Sequence, residues 1–173
     1  DTVSVMFGIR TFETDPEKGL LLNGKEIKLR GGCVHHDHRP LGAAALGRAE
    51  ERRVEILKAA GYNAIRTSHN PPSREFLAAC DRIGMLVVDE IFDCWEDGKN
   101  GDDYGRFFKD WWKTDVTNWV RRDRNHPSVV MWSTGNEIPE RYEPRAAKTS
   151  KMLADAIRDL DPTRPITSAF NGV

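Results

Sequence analysis

A glutamate at the predicted exit of a strand is the side chain best suited to chemistry in this sequence. Asn136 and Glu137 end the stretch Trp132–Glu137, which follows the apolar residues Val129–Met131. A carboxylic acid beside an amide is typical of glycosidic bond cleavage, because the acid protonates the leaving oxygen and a hydrogen bond to the sugar 2-hydroxyl strengthens in the transition state. The alternative is a solvated loop carboxylate, and the spacing alone does not separate the two interpretations.

Three histidines within four positions form a second polar group. If His35, His36 and His38 continue a strand, His36 and His38 lie on one side and His35 on the other. A metal site would need two or three converging nitrogens and a further ligand. A sugar pocket needs groups that both donate and accept hydrogen bonds, as neutral histidine does, and we favour this second hypothesis.

Two further polar clusters follow apolar runs. Arg66 and His69 lie in the stretch Arg-Thr-Ser-His-Asn-Pro, which predicts an arginine that holds a carboxylate and a histidine that faces substrate. The alternative is a turn ended by proline, with a surface arginine. The stretch Asp89–Glu96 has four carboxylates in eight residues, which suits either a hard cation or a solvated loop. It also contains Trp95, a candidate for stacking on a sugar face.

These clusters require elements that bring them together, and the sequence predicts strands that alternate with helices. Asn23-Gly24 between apolar residues predicts a type I′ hairpin turn within Leu20–Leu29. The other predicted elements are a strand at Val3–Arg10, a strand at about Leu29–His35, a helix at Arg48–Ala60, a strand at Asn63–Thr67, a helix capped by Ser73 and ended by Gly84, a strand at Met85–Val88, a helix at Asp103–Asn125, a strand at Ser128–Ser133, a helix at Ala146–Leu160 and a strand at Pro165–Ala169.

This alternation predicts a parallel sheet with right-handed crossovers. All four clusters then lie at strand exits, where active sites of such sheets are found. A doubly wound open sheet would need a glycine-rich loop after its first strand, but Gly31 and Gly32 fall inside the strand. We therefore predict an α/β fold that is the leading half, about four and a half βα units, of a (β/α)8 TIM barrel, preceded by a short strand and a hairpin.

Composition excludes several classes of protein. The chain has 173 residues, with 26 Lys and Arg against 27 Asp and Glu, which predicts no nucleic-acid partner and no attraction to a membrane surface. The longest apolar run is five residues, too short to span a bilayer. Three cysteines without a paired spacing favour neither a disulfide framework nor a zinc site. The beginning at Asp1, without a signal-peptide pattern, predicts processing or truncation.

Several stretches together resemble one family, the catalytic barrel of glycoside hydrolase family 2. They occur in the family's order over almost the whole chain. The matching stretches are Phe7–Arg10, Leu22–Lys25, Leu29–Gly32, Arg66–Pro71, Val87–Glu90, Arg122–Ser128 and Gly135–Glu137.

The resemblance implies a retaining mechanism and assigns roles to matching residues. Glu137 would be the general acid/base, and Asn136 would contact the sugar 2-hydroxyl. His36 and His69 would line the sugar subsite, and Arg66 would lie near the nucleophile. Residues 1–12 would be the end of a preceding β-sandwich domain or a linker, and residues 13–173 the partial barrel.

Two departures from the family pattern limit what the resemblance implies. Retaining hydrolysis needs a second carboxylate about 5 Å from the acid, and the family's nucleophile is a glutamate near the end of the seventh strand. The chain stops in the fifth, so we predict that it is inactive alone. Some family members bind magnesium, but the corresponding positions here are Cys94 and Glu96. We therefore expect no metal and no other cofactor.

The sugar is less well determined than the chemistry. The run Phe92–Lys99 is most similar to β-galactosidases of polysaccharide-degrading bacteria, so we favour a bacterial β-galactosidase parent, periplasmic, secreted or cytoplasmic. A β-glucuronidase or β-mannosidase is the alternative within the family, and a non-catalytic carbohydrate-binding fragment is the alternative outside it. Half a barrel exposes strand edges, which predicts self-association of the chain, and the parent is a candidate homo-oligomer.

Overall fold

The computed structural model describes residues 2–171 as strands and helices that alternate after a small antiparallel sheet. The strands are β1 (Phe12–Asp15), β2 (Gly19–Leu22), β3 (Lys25–Ile27), β4 (Gly31–His35), β5 (Ala64–Ser68), β6 (Leu86–Glu90), β7 (Val129–Asn136) and β8 (Ile166–Ala169). The helices are α1 (Gly47–Ala59), α2 (Arg74–Ile83), α3 (Gly105–Asp123) and α4 (Pro144–Leu160), with short 3₁₀ turns at Arg39–Leu41 and Pro139–Tyr142.

The predicted hairpin is present and gains a third strand. Strands β1, β2 and β3 pair antiparallel in that order. Asn23 and Gly24 have φ values of 51° and 73°, the left-handed conformation that both central residues of a type I′ turn need. Asparagine and glycine tolerate this conformation better than other residues, so the sequence specifies the turn.

The strand predicted at Val3–Arg10 does not form. Residues 2–11 belong to no regular element, and Met6 and Ile9 are each 91% exposed. A strand needs a neighbour for its backbone groups, and no described segment pairs with these residues. Arg10 ties the segment to the main sheet, because its guanidinium donates hydrogen bonds to the carbonyl oxygens of Pro127 (2.9 Å) and Val129. Thr11 is bonded to Asn23 of the hairpin turn through both of its backbone groups.

The main sheet confirms the predicted fold class. Strands β4 to β8 pair in parallel and in chain order, so the sheet is an incomplete barrel with β4 and β8 at its edges. The buried apolar core lies between this sheet and helices α1 to α4. Strand β6 is buried along most of its length, as its continuous apolar run predicts.

Local signals set the helix bounds. The backbone N–H of Phe76 donates a hydrogen bond to the Ser73 hydroxyl, which caps α2, and Gly84 ends the helix with φ 77°. On α3, Trp119 is buried, whereas Trp111 is 54% exposed. No helix within residues 2–171 is long and apolar enough to cross a membrane.

Candidate active site

The carboxyl ends of the strands bring the predicted polar residues to one edge of the sheet. Arg66 lies beside Cys33 of β4 and Val88 of β6, and Glu90 pairs in register with Ser133 of β7. Because parallel strands all end at the same edge, side chains from β5, β6 and β7 meet there. This edge is where functional groups of barrels lie.

Glu90 is the buried centre of this cluster. Its side chain is fully buried, and the guanidinium of Arg66 donates to both carboxylate oxygens, at 2.8 and 2.9 Å. His69 Nδ1 lies 2.6 Å from one oxygen, and the Ser133 hydroxyl donates to the other. Because Arg66 and His69 both contact this buried carboxylate, Glu90 orients their side chains.

The amide of Asn136 joins this cluster to the loop after β6, residues 91–104. Arg66 Nη2 donates to Asn136 Oδ1 at 2.9 Å, and Asn136 Nδ2 donates to Asp93 Oδ1 at 2.9 Å. Asp93 also accepts a hydrogen bond from Lys99 Nζ at 2.7 Å. Burial opposes ionisation of Asp93, but the hydrogen bonds from Lys99 and Asn136 outweigh it and hold the pKa of this carboxyl below its usual value.

Glu137 follows Asn136 in a conformation that non-glycine residues seldom adopt. Its φ is 44°, and its backbone N–H donates to the Ala169 carbonyl at 2.7 Å, so β8 fixes the backbone there. The residue is exposed, and its carboxylate has no hydrogen-bond partner within residues 2–171. Because the residue is exposed and its carboxylate lacks such a partner, this carboxylate is open to a ligand.

The structure places His35 and His38 in different surroundings. The rings of His35 and His69 meet edge to face with centroids 5.3 Å apart, so His35 contacts the cluster. His38 Nε2 lies 3.2 Å from the Glu50 carboxylate of α1. His36 lies between them in the sequence and lines a small pocket that both His35 and Glu50 also line.

Trp95 does not present a ring to this edge. It is fully buried, its indole nitrogen donates to the Thr134 carbonyl at 2.8 Å, and its ring meets that of Phe170 edge to face. Stacking on a sugar needs an open ring face, so the structure corrects this prediction and assigns Trp95 to packing. Trp132 is also buried, against Trp119.

The positions that correspond to a magnesium site do not fit a metal. Cys94 is fully buried, and burial raises the pKa of its thiol to about 11, so it stays protonated. Glu96 lies 3.6 Å from the Arg145 guanidinium, which supplies its counter-charge. Within residues 2–171, no three His, Cys, Asp or Glu side chains are grouped closely enough to hold a metal ion.

A cavity of about 360 Å³ opens beside the cluster. His69 and Asp93 lie on its rim, and its walls are largely apolar, with Phe92 and Tyr104 among them. This size and lining are typical of small-molecule pockets, where a few polar groups orient a ligand against apolar walls.

Three members of the cluster are not identified by the sequence. Glu90 belongs to an acidic stretch that suits either a hard cation or a solvated loop, Lys99 has no predicted role, and Ser133 is predicted only as the end of a strand. A signal for Glu90 was present, since a parallel strand that ends in a carboxylate lies next to the strand that ends in Arg66. For Lys99, the local sequence holds no comparable signal.

The fold and this edge define a class: part of a (β/α)8 barrel with its polar cluster at the carboxyl ends of the strands. The family model for glycosyl hydrolases family 2, TIM barrel domain, matches residues 16–172. The chain therefore belongs to glycosyl hydrolase family 2.

Individual relatives agree with this assignment. The chain is 42% identical to the β-galactosidase BoGH2A of Bacteroides ovatus, over 99% of this chain and 24% of that protein. It is 32% identical to a β-glucuronidase of Bacteroides fragilis, over 99% of this chain and 25% of that protein. A crystal structure of a family 2 member from Bacteroides cellulosilyticus superposes with a TM-score of 0.94 at 51% identity, over 96% of this chain and 22% of the other. The chain thus spans about a quarter of these relatives.

Proposed function

We propose that this chain is the acid-bearing part of the catalytic barrel of a retaining β-glycosidase, with Glu137 as the general acid/base. The observation that carries the proposal is the open carboxylate of Glu137, which follows an amide held by Arg66 and Asp93. A general acid has to reach the leaving oxygen, so an unpaired, exposed carboxylate suits that role better than the saturated Glu90.

The remaining residues take supporting roles in this proposal. Asn136 hydrogen-bonds the sugar 2-hydroxyl, and His69 lines the sugar subsite together with His36 or His35. Contact between the rings of His35 and His69 favours His35 for this place. Arg66 serves as a donor near the nucleophile, while its bonds to Glu90 fix its direction.

The chain alone is proposed to be inactive. A retaining enzyme needs a nucleophilic carboxylate about 5 Å from the acid. Glu90 is the nearest buried candidate in the cluster, but its oxygens already accept from Arg66, His69 and Ser133. Asp93 is similarly engaged by Lys99 and Asn136. The nucleophile is therefore proposed to lie in the remainder of a longer protein.

Among sugars, β-galactosides are the proposed substrates. This preference is supported by the similarity of Phe92–Lys99 to β-galactosidases and by the 42% identity to a protein named β-galactosidase over 99% of this chain. A protein named putative β-glucuronidase is 43% identical over 97% of this chain, so overall identity does not separate the two sugars. β-Glucuronides and β-mannosides are the alternatives.

The test is hydrolysis of a panel of nitrophenyl β-glycosides by the full-length protein that carries this chain, by its Glu137→Gln variant and by the chain alone. We expect the full-length protein to cleave the galactoside, Glu137→Gln to lose about 100-fold or more in kcat/KM, and the chain alone to be silent. With dinitrophenyl glycosides, whose leaving group needs little protonation, the loss should be much smaller.

The control is Glu26→Gln, which changes an exposed glutamate on the hairpin and should retain full activity. An equal loss of kcat/KM for all leaving groups would show that Glu137 is not the general acid. Activity of the chain alone that disappears in Glu137→Gln would show that it has its own second carboxylate. If the full-length protein is silent but the chain binds galactose in calorimetry, the carbohydrate-binding alternative replaces the enzyme.

A further inference from the structure

We infer that Lys99 and Asp93 form a positioning pair that fixes the amide of Asn136 for the sugar 2-hydroxyl. The inference rests on the proposed function, and it adds two residues that the family resemblance does not assign. The contacts of the Asn136 amide, of Lys99 and of the loop of residues 91–104 support this inference.

The two ends of the Asn136 amide have partners of opposite type. Arg66 has only donors, so the atom that faces it must be the amide oxygen, and an ionised Asp93 has only acceptors, so the atom that faces it must be the amide nitrogen. Both contacts are 2.9 Å long. The partners therefore fix both the plane and the sense of the amide, and within residues 2–171 no group accepts from its second N–H, which leaves it for a ligand.

Lys99 restrains both Asp93 and the backbone of Asn136. Its ammonium donates to Asp93 Oδ1 at 2.7 Å and also to the Asn136 backbone carbonyl at 2.9 Å. One cation thus binds the acceptor of the amide and the peptide unit that leads directly to Glu137. Without this charge, Asp93 would be an incompletely paired, half-buried carboxylate, and the amide would lose a restraint.

The loop of residues 91–104 holds Lys99 in place for this task. The backbone N–H groups of Lys99 and Asn100 donate to one oxygen of Asp103, at 2.5 and 2.8 Å. The Glu140 carboxylate accepts from the backbone of Glu96, and it is itself only 2% exposed. The lysine therefore projects from a loop that is restrained by Asp103 within it and by Glu140 outside it.

The experiment compares two substrates in the full-length protein: a nitrophenyl β-glycoside that the unmodified protein cleaves, and its 2-deoxy analogue. The variants are Lys99→Met, Lys99→Arg and Asp93→Asn. The control is Lys58→Met, which removes another lysine that donates to a backbone carbonyl, that of Gly84, at 2.7 Å. Circular dichroism checks that each variant is folded.

If the pair acts through the amide, Lys99→Met and Asp93→Asn lower kcat/KM for the 2-hydroxy substrate by about 10- to 100-fold. For the 2-deoxy substrate, which lacks the group that the amide binds, both changes should have almost no effect. Lys99→Arg keeps a charge and donors, so it should recover most of the activity, and Lys58→Met should match the unmodified protein.

Equal losses on both substrates would mean that Lys99 has only a structural role, and no loss on either substrate would overturn the inference directly.

The proposed function has its own test. It is refuted if Glu137→Gln cleaves the 2-hydroxy substrate as fast as the unmodified protein, or if no glycoside is cleaved. Either of those results would overturn the role of Lys99 as well, while a Glu137-dependent activity that is insensitive to Lys99 would overturn that role alone.

Discussion

At the scale of single residues, the buried carboxylate of Glu90 depends on Arg66. Replacing Arg66 by Gln leaves a fully buried negative charge without its cation, so we expect the free energy of unfolding to fall by about 3–5 kcal/mol. Urea unfolding of the chain measures this. Arg48→Gln is the control, because its contacts with Glu51 and Glu55 are exposed and should contribute less than about 1 kcal/mol. Equal losses in the two variants would mean that Glu90 does not need its partner.

A second buried acid, Asp89, makes stability depend on pH. Burial, together with the neighbouring Asp123 carboxylate, raises the pKa of Asp89 well above its usual value. The folded chain therefore keeps a proton that the unfolded chain loses above about pH 4, and stability falls as pH rises from there toward the folded pKa.

We therefore expect the difference in free energy of unfolding between Asp89→Asn and the unmodified chain to grow in favour of the variant as pH rises from 5 to 8. The growth is at most about 1.4 kcal/mol per pH unit. Urea unfolding at several pH values measures the difference. Asp110→Asn, on the exposed side of α3, should leave the pH dependence unchanged. If the Asp89 variant also follows the pH dependence of the unmodified chain, Asp89 is ionised in the folded state.

At the scale of elements, the exit of β7 is packed closely against the loop of residues 91–104. A Cβ atom added at Gly135 would lie 2.5 Å from Ile138 Cδ1 and 2.9 Å from Trp95 Nε1. Gly135→Ala should therefore displace Trp95 from the Thr134 carbonyl and destabilise the chain by about 1–3 kcal/mol. The melting temperature and the near-ultraviolet circular dichroism of tryptophan measure the two effects.

Gly101→Ala, within the loop itself, is the matched change, because an added Cβ there meets nothing within 4 Å. It should melt at nearly the same temperature as the unmodified chain. If Gly135→Ala behaves in the same way, the exit of β7 can move away from the loop at little cost.

Most elements could be predicted from the sequence because their signals are local. The Asn23-Gly24 turn, the Ser73 cap and the stop at Gly84 each depend on one or two residues and their neighbours. The strand at Val3–Arg10 could not be judged in this way, because its alternating pattern says nothing about whether a partner strand is present.

The proximity of several candidate residues could be predicted for a similar reason. Predicted strand exits put Arg66, His69 and Asn136 at one edge of the sheet without any knowledge of distance, and the catalytic role of Glu137 stays a prediction. The burial of Trp95 could not be predicted from the local sequence, because a tryptophan gives the same sequence pattern whether it stacks on a sugar or packs in a core. Lys99 reaches Asn136 across 37 positions of the chain, and only the folded path of the loop brings them together.

At the scale of the whole molecule, half a barrel has two open strand edges. Strand β4 pairs only with β5, and β8 only with β7, within the described residues. Beside β4 and β5 the sheet has an open groove with Cys33, Arg66 and Val88 among its lining residues. Unpaired backbone groups and an uncovered sheet face favour association with other chains.

We therefore expect the isolated chain to form dimers or larger species, which sedimentation velocity over a range of concentrations detects. The full-length protein, in which further strands would cover both edges, is the comparison and should lack this edge-driven association. A monodisperse monomer of the isolated chain at all concentrations would contradict the prediction and would mean that its edges are protected.

The order of the strands also affects how the molecule is assembled during synthesis. Strands β4 to β8 lie side by side in the order in which a ribosome would release them. Each new strand finds its neighbour already formed, so the loop to be closed at each step is short, and such local contacts favour fast folding. The bonds among Arg66, Glu90 and Asn136 connect three successive strands, so this half of the site can be complete before later parts of a longer chain are translated.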